Sequence, residues 1–138
     1  MDRYGSGIKT FAHSVGQNWY HVILVPRMRY PLFKQPHQRQ LALLAFDWVC
    51  SNHNIDLFAK EVMDDHVHLF VACPPEYSIR KLIQLLKGGS SYYIRRNHPP
   101  LQKYPALWSR GFMYRSVGSV SADTVKRYIE QSNIWRKD

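Results

Sequence analysis

The sequence DDHVHLFVACPP, residues 64–75, contains an apolar run that predicts a β-strand ending at a pair of prolines. Side chains alternate between the two faces of a strand, so His66 and His68 would point to one side and their apolar neighbours to the other. The preceding run, IDLFAKEVM (55–63), predicts a second strand. A tight turn at Asp64–Asp65 would join the two strands into an antiparallel hairpin.

Two amphipathic helices are predicted on either side of this hairpin. The first follows Pro36, and its predicted buried stripe is Leu41, Leu44, Ala45, Trp48 and Val49. Ser78 is the predicted N-cap of the second, whose stripe is Ile79, Leu82, Ile83, Leu86, Tyr93 and Ile94. Gly88–Gly89 interrupts the second stripe, and such glycines indicate a close approach of the helix backbone to another element.

Strands are also predicted near both ends of the chain, at WYHVILV (19–25) and at LWSRGFMYRSVG (107–118). Ser121 can cap a last helix, which carries Val125, Tyr128, Ile129 and Trp135 on one side.

The predicted order β-α-β-β-α-β-α favours an α+β fold of the ferredoxin-like or RRM-like kind, with an antiparallel sheet and its helices on one face. We expect a single domain over residues 1–138. It would have a loose N-terminal lead-in at 1–17 and a C-terminal helix at 119–138.

The chain is strongly basic, with 19 Lys and Arg against 10 Asp and Glu and a net charge of +9. This balance favours a polyanionic partner, nucleic acid before an anionic membrane surface, although solubility alone can also account for a positive charge. We identify no signal peptide and no apolar run long enough to cross a bilayer. Cys50 and Cys73 lie in apolar contexts, as expected of reduced core thiols, so we expect a cytoplasmic protein, associated with the nucleoid in a prokaryote.

Two histidines on one strand face can bind a metal, transfer protons or simply pack. The neighbouring carboxylates favour a metal, because Asp65 precedes the pair and Glu61 would lie across the hairpin from it. Zinc would want more nitrogen or sulfur ligands, whereas Mg²⁺ or Mn²⁺ would complete its shell with water and substrate phosphate. His21 and Asp65 are counted as supporting residues of this site.

Tyr128 lies between Arg127 and Ile129 in VKRYIEQSN and is a candidate nucleophile. Its cationic neighbours would favour the phenolate, whose conjugate acid has an ordinary pKa of about 10. A tyrosine nucleophile would keep the phosphodiester energy in a covalent phosphotyrosine, so that strand joining needs no ATP. Periodicity by itself favours the other reading, in which Tyr128 belongs to the apolar stripe of the last helix.

Cations and aromatic rings alternate along the chain, as suits single-stranded nucleic acid, where phosphates are neutralised and bases stack. The candidate DNA-binding residues are Arg27, Arg29, Lys87, Arg95, Arg96, Arg110 and Arg115.

The ordered series WYHVILVPRMRYPLF, DDHVHLFVACPP, IRKLIQLLKGGSS, LWSRGFMYRSVG and VKRYIEQ resembles the single-tyrosine transposases of short insertion sequences, in the HUH endonuclease superfamily. HUH stands for His-hydrophobe-His, here His66-Val67-His68. The resemblance implies that these histidines bind Mg²⁺ or Mn²⁺ and that Tyr128 attacks the scissile phosphate. It also implies a 5′-phosphotyrosine intermediate, recognition of a hairpin in single-stranded DNA, and a homodimer whose active sites are shared between subunits.

The chain departs from the family pattern at the third metal ligand, a glutamine four residues after the tyrosine. Ser132 holds that place and Gln131 precedes it. Both positions flank the helical face of Tyr128, so we place Gln131 slightly ahead of Glu61 as the third ligand.

There are three alternatives to the transposase. A non-catalytic RRM-like module would carry glycine-spaced aromatics on a strand, and a metal-free phosphodiesterase would carry two His-x-Thr/Ser motifs. Neither pattern is present. A domesticated relative that acts on chromosomal palindromic repeats would have the same catalytic residues and stays open.

Overall fold

The computed structural model of the protein describes residues 10–11, 14–15 and 18–117. Tyr128, Gln131 and Ser132, together with the whole predicted C-terminal helix, lie outside these residues. Their roles therefore stay predictions.

The described chain forms two antiparallel sheets and two long helices. A two-stranded sheet pairs β1 (Thr10–Phe11) with β2 (Ser14–Val15), within the segment predicted as a loose lead-in. The main sheet contains β3 (Asn18–Leu24), β4 (Asp56–Val62), β5 (Val67–Cys73) and β6 (Met113–Val117), in the order β4-β5-β3-β6. The helices are α1 (Pro36–Asn52) and α2 (Ile79–Asn97). This is the predicted ferredoxin-like α+β architecture, and 3₁₀ turns fill the connections at Arg27–Arg29, Leu32–Lys34 and Pro99–Lys103.

The hairpin of β4 and β5 follows the prediction closely. The backbone N–H of Met63 donates to the carbonyl of His66 at 2.8 Å, which closes a tight turn over Asp64 and Asp65. In the ladder that follows, Glu61 lies directly opposite His68. The turn therefore fixes which side chains share a face with the histidine pair.

Helix α1 is rotated relative to its predicted stripe. Leu41, Ala45 and Val49 are buried as expected, but Leu44 and Trp48 are 41% and 40% exposed. The buried face extends instead to Ala42, Phe46 and Cys50. Both stripes satisfy the helical period, and packing selects between them, because Phe46 contacts the buried ring of Trp108.

Helix α2 begins at the predicted cap, where the Ser78 hydroxyl accepts a hydrogen bond from the backbone N–H of Lys81 at 3.0 Å. Its two glycines have different surroundings. A Cβ built on Gly89 would lie 2.5 Å from Cγ2 of Val49 on α1, whereas one on Gly88 would meet nothing within 4 Å. The predicted close approach is thus correct for Gly89 and wrong for Gly88.

The last described strand begins later than predicted, at Met113 instead of residue 107. Trp108 still forms an isolated bridge to Pro26, but the next residues form a loop. The carbonyls of Ser109, Arg110 and Gly111 in this loop accept hydrogen bonds from Nζ of Lys87 at 2.7, 3.2 and 2.9 Å. The pairing is therefore interrupted between Trp108 and Met113.

The core lies between the main sheet and the two helices. Strand β5 contributes Val67, Leu69 and Val71 to it, and β3 contributes Val22 and Leu24. Cys50 and Cys73 are buried and free, as predicted. Neither described helix combines the length and apolar character that crossing a membrane requires.

Candidate functional site

The histidines lie on the sheet face opposite the helices. Val67 and Leu69 belong to the core, so strand alternation places His68 on the other face. The register of β3 and β6 adds His21 and Arg115, which pair with each other across the sheet. Trp19 and Phe70 share this face and contact each other, with ring centroids 5.4 Å apart.

His66 and His68 form the close pair that strand alternation predicts. Their ring centroids are 4.9 Å apart and the rings meet edge to face. His66 stands at the end of the hairpin turn with its side chain 25% exposed, whereas His68 is buried at 5%. A cleft of about 780 Å³, lined by Glu61, His66 and Arg39 among others, opens beside the pair. A ligand can thus reach the site from the His66 side.

The imidazole of His66 is oriented by a carboxylate. Its Nδ1 lies 2.8 Å from Oδ1 of Asp65, and Nε of Arg29 donates to the other carboxylate oxygen at 2.9 Å. The hydrogen bond with His66, assisted by Arg29, lowers the pKa of the Asp65 carboxyl despite its partial burial. An ionised Asp65 accepts from Nδ1–H, so Nε2 is the nitrogen through which His66 would bind a metal.

The imidazole of His68 is oriented by a second histidine. Nδ1 of His68 lies 3.0 Å from Nε2 of His21, and the two rings are nearly parallel. Burial lowers the pKa of each to about 4, with Arg115 adding to the effect at His21, and His21 and His66 adding to it at His68. Both rings are therefore neutral at physiological pH, which is the form that binds metal ions.

Glu61 is buried at 6% and lies opposite His68, where the sequence placed it. Within residues 18–117, however, no three His, Cys, Asp or Glu side chains are grouped so that they could hold a metal ion. The described part of the chain thus provides two imidazoles that each have a partner at Nδ1.

The predicted DNA-binding cations have diverse surroundings. Arg27 and Arg110 are exposed, and Arg115 is exposed on the same sheet face as His21. Arg29 contacts Asp65, and Arg96 contacts the hydroxyl of Tyr92 at 3.0 Å. The other two form hydrogen bonds with main-chain carbonyl groups. Lys87 binds the three loop carbonyls, and Arg95 donates to the carbonyls of Gln102 and Tyr104.

Sequence reasoning missed the ion pairs that link the turn to other segments. Arg29 pairs with Asp65, and Arg39 pairs with Asp64 and also donates to the carbonyl of Phe33 at 3.0 Å. Two adjacent aspartates in a basic chain were the available signal. Their partners are 36 and 25 residues away, so only the fold identifies them.

Comparisons with known proteins agree on one kind of relative. The family model described as "Transposase IS200 like" matches residues 14–132. A transposase for insertion sequence element IS200 from Salmonella typhimurium is 26% identical over 132 residues, covering 91% of this chain and 86% of the relative. The ISDra2 transposase TnpA of Deinococcus radiodurans is 25% identical over 88 residues, or 62% of this chain and 63% of the relative.

Two solved structures are similar to this chain in fold. A crystal structure described as a transposase, also from Deinococcus radiodurans, is similar with a TM-score of 0.69 and 25% identity, over 89% of this chain and 96% of that one. A REP-associated tyrosine transposase bound to a REP hairpin is similar in fold, with a TM-score of 0.55 and 15% identity, over 93% of this chain and 64% of that one.

Proposed function

Since this chain belongs to the IS200-like transposase family, we propose that it cleaves and rejoins single-stranded DNA at insertion-sequence ends through a 5′-phosphotyrosine on Tyr128. The observation that carries the proposal is the pair of imidazoles, His66 and His68, each held through Nδ1 by a dedicated partner. A pair of histidines that merely packed would not need a carboxylate and a second histidine to set their orientation.

The two histidines would provide part of the ligand set of a divalent metal ion. Nε2 of His66 and Nε2 of His68 would be two ligands, and the neutral form of His68 needs no deprotonation at neutral pH. Gln131 stays our preferred third ligand, slightly ahead of Glu61, because its position flanks the helical face of Tyr128. Imidazole and oxygen ligands together suit Mn²⁺ or Mg²⁺, which when bound would neutralise charge on the scissile phosphate.

The chain's own residues would carry the bond changes. The phenol of Tyr128 releases its proton to solvent, and its oxygen forms a bond to the phosphorus as the bond from phosphorus to O3′ breaks. The departing O3′ takes up a proton from solvent to become a free hydroxyl. Rejoining is the reverse: a 3′-OH attacks the phosphotyrosine and releases Tyr128. Arg115, which is exposed on the face of His21, would neutralise backbone phosphates of the bound strand.

Hairpin recognition and a homodimer complete the proposal. A hairpin is the ligand in the REP-associated relative, and the net charge of +9 suits a DNA ligand of this kind. We infer that two subunits share their active sites, with the tyrosine of one subunit serving the histidines of the other.

The substitution Tyr128→Phe tests the nucleophile. It should abolish cleavage of a labelled hairpin oligonucleotide and the covalent protein–DNA adduct, because phenylalanine has no oxygen to bond to phosphorus. Binding of the same oligonucleotide should change little. Adduct formation is measured by denaturing gel electrophoresis with Mg²⁺ or Mn²⁺ present.

Wild-type protein incubated with EDTA serves as the control and should give no adduct. Cleavage by Tyr128→Phe at the wild-type rate would contradict the nucleophile assignment. A wild type that bound the oligonucleotide without any metal-dependent adduct would identify a binding module instead. Preference for hairpins from chromosomal palindromes over insertion-sequence ends would identify the domesticated alternative.

A further inference from the structure

A second cleft, lined in part by Arg27 and Met28, is not used by the proposed reaction. Its volume is about 530 Å³, and it lies between the segments 26–38 and 100–107. Pro31 lines both this cleft and the one beside His66. Arg29 of the same turn contacts Asp65, which orients His66. The two clefts therefore adjoin each other at Pro31.

The cleft combines an apolar floor, aromatic walls and a basic rim. Leu32, Leu101 and Leu107 form the floor and are all buried, whereas Tyr30 and Tyr104 are 64% and 43% exposed. The rim carries Arg27, Lys34 and Lys103, and no Asp or Glu occurs among the described residues that line it. Nζ of Lys103 lies 5.3 Å from the centroid of the Tyr104 ring. An uncharged flat group with an attached anion complements these features.

The walls of the cleft are pinned by hydrogen bonds. The backbone N–H of Arg27 donates to the carbonyl of Leu107 at 2.9 Å, which ties one wall to the other. Arg95 of α2 holds the second wall through the carbonyl of Tyr104 at 2.7 Å. In the first wall, Met28 and Arg29 have φ values of 58° and 54°. Non-glycine residues adopt this left-handed region at a cost in free energy, and they do so mainly where the surroundings enforce a particular loop shape.

We propose that this cleft binds one unpaired nucleotide of the DNA strand, with its base against Tyr30 and Tyr104 and its phosphate on the basic rim. Base stacking on aromatic side chains and phosphate contacts with Lys and Arg are the two parts of single-strand recognition. The amides of Gln35 and Gln38, which also line the cleft, can donate to and accept from a base edge. This inference rests on the proposed function, because the cleft would recognise the DNA substrate of that reaction.

The unpaired nucleotide could come from the single-stranded flank of the cleavage site or from the hairpin itself. Its position is found with a hairpin oligonucleotide that carries single-stranded flanks and a single abasic site, moved through every unpaired position. Binding is measured by fluorescence anisotropy in EDTA, so that no cleavage occurs. The proteins are wild type, Tyr104→Ala, Tyr30→Ala and a matched control, Tyr92→Ala, which removes a 55% exposed tyrosine of α2 that does not line the cleft.

We expect Tyr104→Ala to weaken binding of the intact oligonucleotide roughly 5- to 150-fold, the range for losing one stacked base, and Tyr92→Ala to bind within about 2-fold of wild type. One abasic position should weaken wild-type binding by a similar factor and have little further effect on Tyr104→Ala. That position identifies the source of the nucleotide. Photo-crosslinking of 5-iododeoxyuridine at the same position should label the peptide containing Tyr30 or Tyr104.

Equal effects of Tyr104→Ala and Tyr92→Ala, or a loss with Tyr104→Ala that no abasic position reproduces, would overturn the cleft assignment. Crosslinks confined to other peptides would overturn it as well. All of these measurements are made without cleavage. A wild type that formed no phosphotyrosine adduct would thus overturn the proposed reaction, while an abasic effect centred on Tyr104 would still support the cleft.

Discussion

Asp64 and Asp65 are adjacent residues of one turn, yet they have separate tasks. Asp65 contacts His66 and Arg29, whereas the carboxylate of Asp64 is 55% exposed and contacts Arg39. An ionised carboxylate on Nδ1 fixes the imidazole orientation and raises the basicity of the other ring nitrogen. Asp65 is thus a positioning residue for the proposed metal ligand, and Asp64 provides its natural control.

The substitution Asp65→Asn should weaken Mn²⁺ binding about 10- to 100-fold, the usual effect of removing such a partner. Asp64→Asn should leave the affinity near the wild-type value. Electron paramagnetic resonance of free Mn²⁺ measures both affinities without DNA or turnover. Equal Mn²⁺ affinities for the two variants would refute the positioning role.

The buried pair His21 and His68 makes folding sensitive to acid. The pKa of each is lowered from 6.5 to about 4 in the folded protein. Between these values the unfolded chain binds protons that the folded chain does not. The contribution of this pair to the free energy of unfolding of the metal-free protein should therefore be greatest above pH 6.5, decrease as the pH falls, and be lost below about 4.

His21→Gln should reduce the slope of the free energy of unfolding against pH by the amount that corresponds to at most one bound proton, because glutamine does not ionise. Urea unfolding in EDTA at several pH values between 4 and 7 measures the slope. An unchanged slope in His21→Gln would show that this pair does not govern the acid sensitivity.

At the scale of elements, α2 approaches α1 closely at Gly89, where a Cβ methyl group would collide with Val49. Gly89 lies against the buried, β-branched Val49, which cannot easily rotate away, while Gly88 faces open space. Elsewhere in a helix, a glycine only costs stability relative to alanine. The two adjacent glycines are therefore expected to respond to the same substitution with opposite signs.

Gly88→Ala should raise the free energy of unfolding by about 0.5–1 kcal/mol through helix propensity. Gly89→Ala should lower it, because the cost of overpacking, about 1–3 kcal/mol, outweighs the same gain in propensity. Urea denaturation of the two variants gives both values. A stabilising Gly89→Ala would mean that α1 can move away from α2 without loss.

Loop and strand boundaries at this scale depend on distant partners. Lys87 of α2 binds three carbonyls of the loop between the bridge at Trp108 and the start of β6. Ser90, one helical turn further on, accepts a hydrogen bond from Nε1 of Trp108 at 2.9 Å. Together these contacts hold the segment 108–111 against α2.

At the scale of the whole molecule, the described residues include the two proposed metal ligands, His66 and His68. The proposed nucleophile, Tyr128, lies outside the described residues. The fold positions His66, His68, His21 and Arg115 on one sheet face, and the core on the other face is closed by α1 and α2. An active site shared between subunits would supply the tyrosine from a second copy of the chain.

Mixed subunits test this sharing. Neither Tyr128→Phe nor His66→Ala should cleave DNA by itself, but a refolded mixture should recover up to about a quarter of the wild-type adduct. The reason is that half of the dimers are mixed, and each of these has one site with both an intact tyrosine and intact histidines. Adduct yield from the hairpin oligonucleotide measures the recovery. No recovery would place the tyrosine and the histidines of each site in the same subunit.

Between residues 18 and 117, the sequence by itself determined the order of strands and helices, the hairpin turn at Asp64–Asp65, the Ser78 cap and the shared face of His66 and His68. These features follow from alternation, helical period and turn chemistry, which act between residues close together in the chain. Only the tertiary structure decided which stripe of α1 is buried, which glycine of α2 is confined, and which partners orient the two imidazoles. Those contacts join residues that are distant in sequence, and local patterns leave several of them equally compatible with the same fold.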